Sequence, residues 1–171
     1  MVITFDNFTP NPLKGTLTEK YLMQAFAKEA QDCLRYQFYA NQAREEGYEK
    51  IAVILEITAH HEKEHAKRIY NSMEGGQCEV NAEFIAGKVR KTDENLRMAI
   101  VGEHREWKRD YPCYATIAEQ EGFPEIASMF WNLAEKEHEH EQCFLEQLQY
   151  LEGDKITKEK GNEEAKKKRS H

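Results

Sequence analysis

Residues 46–65 read EGYEKIAVILEITAHHEKEH, and residues 121–140 read EGFPEIASMFWNLAEKEHEH. Offset by 75 positions, the two stretches pair Glu46-Gly47-Tyr48 with Glu121-Gly122-Phe123 and Ile51-Ala52 with Ile126-Ala127. The same offset pairs Ala59 with Ala134, Glu62 with Glu137 and His65 with His140. In each copy a Glu-Gly-aromatic turn leads into a segment whose apolar residues recur every third or fourth position, the period of an α-helix. Two copies of one hairpin, related by a pseudo-twofold axis, would build a symmetric site.

Working outward from these turns, four helices of about 25 to 30 residues emerge. The first starts near Thr16, where Thr16-x-x-Glu19 fits a capping box, and runs towards Glu46-Gly47. The second runs from Tyr48 to Glu74 and stops at Gly75-Gly76, and the third spans Thr92-Asp93 to Glu121-Gly122. The fourth opens with Pro124 and ends near Gly153. Tight turns make each pair an antiparallel hairpin, and residues 75–92 are long enough to travel the length of a bundle. The expected fold is all-α: a ferritin-like four-helix bundle of two antiparallel hairpins joined by a long crossover. Residues 1–154 form this domain, and residues 155–171 read as a charged, mobile tail.

The chain of 171 residues carries a net charge of -7. Seven Lys/Arg and three Glu after position 154 make the tail +4, so the body holds -11. This balance argues against nucleic acid or an anionic membrane as partner. No stretch approaches the roughly 20 apolar residues of a membrane span, and the opening Met1-Val2-Ile3-Thr4-Phe5-Asp6 lacks the features of a secretion signal, so the expected location is cytoplasmic. Cysteines 33, 78, 113 and 143 form no C-x-x-C pair, which leaves a zinc ribbon or rubredoxin-type iron site without ligands here. They read as reduced, mostly buried thiols.

The acidic residues carry the chemistry. Helix one has the stripe Leu22, Ala25, Phe26, interrupted by Glu29 and resumed at Cys33, Tyr36 and Ala40. Helix two runs Ile51, Leu55, Thr58 through Glu62 and His65 to Ile69, and helix four runs Ile126, Phe130, Leu133 through Glu137 and His140 to Phe144. Helix three gives Leu96, Ala99, Ile100, then Glu103 and Glu106, then Tyr111 and Tyr114. Every helix points acid inward near its middle. One uncompensated buried carboxylate costs several kcal/mol, so five together require a cation. Either Glu-x-x-His alone is what any solvated helix face could carry. Two at the repeat offset, facing two further glutamate-bearing helices, form the donor set of a carboxylate-bridged dimetal site. Five glutamates contribute -5, which two divalent ions would reduce to -1.

These residues resemble the rubrerythrin family of non-haem di-iron proteins, from about Leu13 to Leu151. The likeness is carried by Leu13-Lys14-Gly15, Thr18-Glu19-Lys20, Ala25-Phe26-Ala27-x-Glu29, Glu64-His65-Ala66-Lys67-Arg68, Gly102-Glu103-His104-x-Glu106, Tyr111-Pro112 and Glu137-x-x-His140. It implies an enzyme reducing hydrogen peroxide to water at two iron ions, with an oxo or hydroxo bridge when oxidised. It further implies that Glu62 and Glu137 bridge the metals and that Glu29, Glu103 and His140 are terminal ligands. Glu106 and His65 would exchange as donors to one iron with oxidation state, and Tyr36 and Tyr111 would hydrogen-bond the carboxylates. Ferric iron favours carboxylate oxygen and ferrous iron accepts imidazole more readily, so a site offering both can be bistable. Manganese or zinc could substitute. Typical members carry a rubredoxin domain, so electrons here are expected from a separate donor such as rubredoxin, and members commonly pair as homodimers. The alternative reading is a ferritin-like protein that oxidises or handles iron.

Two irregularities stand out. Glu29 to Tyr36 is seven residues but Glu103 to Tyr111 is eight, which predicts a one-residue π-bulge between Glu103 and Tyr111 that places Glu106. Asp32 is the helix-one counterpart of Glu106 and stands where the family commonly has a small residue. It is an eighth candidate ligand, with a surface or supporting role favoured because its side chain is one methylene shorter.

Overall fold

The first helix begins where Thr16 stops the extended chain: its hydroxyl accepts from the Glu19 backbone N–H at 3.0 Å. The capping box is completed one residue early, because the Glu19 carboxylate accepts from Gly15 N–H at 2.7 Å, not from Thr16. In the computed structural model, which describes residues 12–169, helix α1 is Leu17–Glu45 and α2 is Glu49–Tyr70. Helix α3 is Thr92–Arg105, a π-helical turn covers Glu106–Asp110, α4 is Tyr111–Gln120 and α5 is Pro124–Arg169. There is no strand among the described residues. The opening segment Met1–Asp6 lies outside them.

The repeat is realised bond for bond in the two turns. After α1, Gly47 N–H donates to Arg44 C=O at 3.0 Å and Tyr48 N–H to Ala43 C=O at 2.8 Å. After α4, Gly122 N–H donates to Glu119 C=O at 3.1 Å and Phe123 N–H to Ala118 C=O at 2.8 Å. Both are Schellman closures, which need a left-handed residue, and Gly47 and Gly122 adopt φ 82 and 87. Each turn reverses the chain, so α1 packs on α2 and the α3–π–α4 rod packs on α5. The structure is thus the ferritin-like four-helix bundle of two antiparallel hairpins, with an irregular crossover between Tyr70 and Thr92. That crossover follows α1 from end to end. Lys14 Nζ donates to Gln77 C=O at 2.6 Å, Gln24 Nε2 to Asn81 C=O at 3.0 Å, and Thr92 N–H to Glu46 Oε1 at 3.2 Å.

Three expectations need correction. Helix α2 ends at Tyr70, a turn before Glu74, because the glycines at 75 and 76 lie beyond Asn71-Ser72-Met73, which already leave the helix. Helix α5 does not end near Gly153 but runs on to Arg169, so the helix extends into the charged segment that follows residue 154. Gly153 keeps an ordinary backbone instead of a left-handed stop, and Lys155 ties the extension to Asp93 at 2.8 Å, beside the α3 N-terminus. Of the four free cysteines only Cys33 is buried; Cys113 is exposed on α4, and Cys78 and Cys143 are partly exposed.

Two apolar clusters fill the bundle. One, around Tyr36, Ile51, Leu55, Leu96, Phe144 and Leu151, lies towards the α1–α2 turn; the other, around Leu22, Ile69, Tyr111, Phe130 and Leu133, lies towards the α4–α5 turn. The acidic layer sits between them. Because nothing lies within 4 Å of a Cβ built on Gly47, Gly47→Ala should cost only its backbone strain. We expect about 1–2 kcal/mol of lost stability, read as a lower denaturant midpoint with unchanged metal stoichiometry; an unaltered midpoint would refute this account of the turn.

Candidate metal centre

Six of the seven candidate ligands come together in two overlapping groups. Glu29, Glu62, His65 and Glu137 offer atoms all within 4.8 Å of one another, and so do Glu62, Glu103, Glu137 and His140. Glu62 and Glu137 belong to both, so the groups exchange under the repeat: Glu29 with Glu103, His65 with His140, Glu62 with Glu137. His65 Nδ1 lies 2.9 Å from Glu62, 3.1 Å from Glu137 and 3.5 Å from Glu29. His140 Nδ1 lies 2.8 Å from Glu137, 3.0 Å from Glu62 and 3.9 Å from Glu103. Both imidazoles turn the same nitrogen inward.

The fit to metal can be judged from atoms left without partners. Glu29 Oε2, both Glu62 oxygens, Glu103 Oε2, Glu137 Oε1 and His65 Nδ1 are buried, and apart from the approach of carboxylate and imidazole to one another they have no hydrogen-bond partner. Orphaned buried polar atoms are rare because each costs its full desolvation. Here they converge on one layer, and carboxylate oxygen with imidazole nitrogen is a donor set suited to first-row divalent ions. The residues fit a pair of metals.

The outer oxygens are held. Tyr36 on α1 donates to Glu103 Oε1 on α3, and Tyr111 on α4 donates to Glu29 Oε1 on α1, so each tyrosine reaches across to the other hairpin. These are the two tyrosines singled out in the sequence, and each is roofed by an aromatic ring: Phe144 at 5.2 Å from Tyr36 and Phe130 at 5.9 Å from Tyr111. The π-bulge expected from the spacing is present, with Tyr111 N–H donating to Glu106 C=O five residues back. It restores Tyr111 to the inward face despite the extra residue. Trp107 within it donates to Glu141 Oε2 at 2.5 Å, pinning the turn to α5.

Glu106 is the seventh candidate, and it stays out of both groups. It is buried, but its carboxylate accepts from Lys28. Asp32 is also buried, bound by Lys28 at 3.2 Å and by Arg35, so its oxygens face cations and not the donor layer. Lys28 and His61 were not legible as site residues. Lys28 stands four before Asp32, a helical ion-pair spacing that could have flagged it. His61 Nδ1 meets His140 Nε2 at 3.1 Å, but in the sequence it hides in the polar run His60-His61-Glu62.

A family model described as Rubrerythrin matches residues 20–148. A rubrerythrin of Porphyromonas gingivalis is 49% identical over 82% of this chain and 70% of its own length. A rubrerythrin of Nitratidesulfovibrio vulgaris is 43% identical over 78% of the chain and 70% of its own length. The chain belongs to the rubrerythrin family. Among solved structures, a mixed-valent nigerythrin superposes with a TM-score of 0.71 at 27% identity, covering 89% of this chain and 78% of that one. Family membership makes this a di-iron protein, and among the described residues no helix is long and apolar enough to cross a membrane.

Without metal, protons hold the layer together. Burial raises Glu29 well above the usual carboxylate range, and the neighbouring Glu137 and Glu62 charges raise it further. Burial does the same for Glu103. Burial opposes a charged His140, yet hydrogen bonds to Glu137 and Glu62 push it up to about 11, and His65 moves in the same direction. A protonated imidazole on each side thus offsets part of the carboxylate charge in the metal-free layer. These raised values stabilise the apo fold fully below the ordinary histidine value near 6.5, and the contribution is lost as pH rises through the folded values, about 11 for His140. Metal must displace those protons from Nδ1. Manganese(II) affinity for the apoprotein should therefore rise between pH 6 and 8, up to about tenfold per unit for each proton released; a flat titration series would contradict the assignment.

Proposed function

We propose that this protein is a peroxide reductase: a di-iron oxidoreductase that converts hydrogen peroxide to two waters with two electrons from a separate donor protein such as rubredoxin, and two protons. The observation that carries the reading is the pair of donor groups sharing Glu62 and Glu137. Glu62 and Glu137, common to both groups, would be shared between two cations, which would act together on the two oxygens of one peroxide. Glu29 and His65 complete one position, and Glu103 and His140 the other. Bound iron supplies the electrons and the Lewis acidity for O–O cleavage; manganese or zinc would fill the same donors without that redox couple at work.

The protein's own contributions follow from the geometry. Tyr36 and Tyr111 fix the terminal carboxylates from opposite hairpins, so those ligands cannot swing freely. The apolar clusters on either side exclude bulk water. His65 and Glu106 offer alternative donors, nitrogen and oxygen, for the two oxidation states. The two imidazoles line the floor of a groove of about 500 Å³ between α2 and α5, together with Ile57, His61, Arg68 and Cys143. This groove is the route for a small polar oxidant. The same reading takes the protein to be cytoplasmic, as its sequence suggested, and a homodimer, from its family likeness.

Two measurements test the reading. Anaerobically reduced, iron-loaded protein mixed with one equivalent of peroxide should reoxidise fast and stoichiometrically, whereas faster reaction with oxygen plus iron accumulation would replace this reading with iron handling. Among variants, Glu62→Ala or Glu137→Ala should abolish paired metal binding. His65→Ala should retain binding but slow redox cycling; unchanged peroxide kinetics in that variant would remove the exchange of donors.

A further inference from the structure

Glu106 is buried yet stands outside both donor groups. Its Oε1 is taken by Lys28 Nζ, a side chain only 16% exposed that crosses from α1 to the π turn. The same ammonium lies 3.2 Å from Asp32 Oδ2, and Arg35 Nη1 takes Asp32 Oδ1. Two carboxylates and two cations therefore form one nearly neutral cluster flush against the donor layer. Its members are spaced on α1 at Lys28, Asp32 and Arg35, one helical turn apart, so they present a single face to Glu106.

We propose that Lys28 is a positioning residue for Glu106, a latch that withholds this carboxylate from the metal position served by His65. The proposal rests on the reading that Glu106 and His65 are alternative donors. Glu106, tied through Oε1 to Lys28, lies outside both donor groups and has to swing towards them to ligate, a movement the ion pair opposes, so Lys28 favours the His65-ligated, reduced arrangement. Asp32 sets how firmly the latch holds. When Glu106 leaves, Lys28 keeps Asp32 as a partner and no lone ammonium is left buried, which keeps the exchange within reach. Asp32 is then not an eighth ligand but the counter-ion that lets Lys28 release Glu106.

The test is the reduction potential of the iron-loaded, full-length protein, followed by redox titration of its visible absorption. Lys28→Met frees Glu106 and should favour the oxidised state at least tenfold per electron, a potential lower by 59 mV or more. Lys28→Arg, which keeps the charge, should stay near the parent value. Asp32→Asn removes the competing carboxylate, leaves Lys28 to Glu106 alone and should shift the potential the other way. Opposite signs for Lys28→Met and Asp32→Asn are not produced by loosened packing, and the position of Glu106 in zinc-loaded crystals separates the latch from the bare loss of a charge, which would shift the potential without moving Glu106. If Lys28→Met fails to load iron, Lys28→Gln with zinc in place of iron decides by whether Glu106 moves onto the metal. Zinc-loaded crystals of Lys28→Met should show Glu106 on the metal. An unchanged potential in Lys28→Met, or equal signs in the two variants, overturns the latch. If His65→Ala also leaves potential and peroxide kinetics unchanged, the two-donor reading itself falls; a His65→Ala effect without a Lys28→Met effect removes only the latch.

Discussion

Five glutamates buried in the middle of a small helical bundle are the constraint on which everything else depends. Each ionised carboxylate costs several kcal/mol to bury, and a domain of this size is stable by only about 5–15 kcal/mol in total. The fold can keep Glu29, Glu62, Glu103, Glu106 and Glu137 inside only by surrounding each with compensating groups. It does so in three ways: tyrosine hydroxyls on the outer oxygens of Glu29 and Glu103, imidazoles between the shared oxygens of Glu62 and Glu137, and an ammonium on Glu106. The inward oxygens of these glutamates that no tyrosine or ammonium holds all belong to the two donor groups. The cost is thus concentrated where bound metal can repay it.

The repeat arranges this compensation economically. A Schellman turn at the same place in each hairpin fixes where the next helix starts, and so fixes the rotation at which Glu62 and Glu137, fourteen residues further on than Tyr48 and Phe123, arrive at the centre. Symmetry is then broken in one element. The π turn adds a residue to the third helix, which keeps Tyr111 paired with Glu29 while carrying Glu106 to the side of Lys28. Without the extra residue, Tyr111 would be rotated by about 100° away from its partner, one residue's turn of an α-helix.

Much of this was legible in the sequence because periodicity reports burial. An acidic residue in an apolar stripe is visible without coordinates, and so is an eight-residue spacing where its repeat has seven; hence Glu29, Glu103 and the π turn. Helix ends were less legible. Gly153 looks like a stop, but a glycine ends a helix only if the chain takes a left-handed turn there, and the Lys155–Asp93 pair across the bundle supports continuation instead. The Lys28 cluster was hidden for a different reason. Lysine and aspartate four apart on a helix ordinarily make an exposed ion pair, and only the approach of the π turn from another helix makes this one part of the interior.

The same approach separates the two residues proposed above as alternative donors. His65 reaches the layer from α2, on the side of the groove shared with α5, whereas Glu106 comes from the π turn, on the side where α1 supplies Lys28. Solvent meets the imidazole side, and a fixed cation occupies the carboxylate side. A neutral donor thus faces the wetter wall and a charged donor the drier one, where its charge already has a partner. That distribution places the cost of moving a carboxylate in a single ion pair between two helices, where one residue can set it.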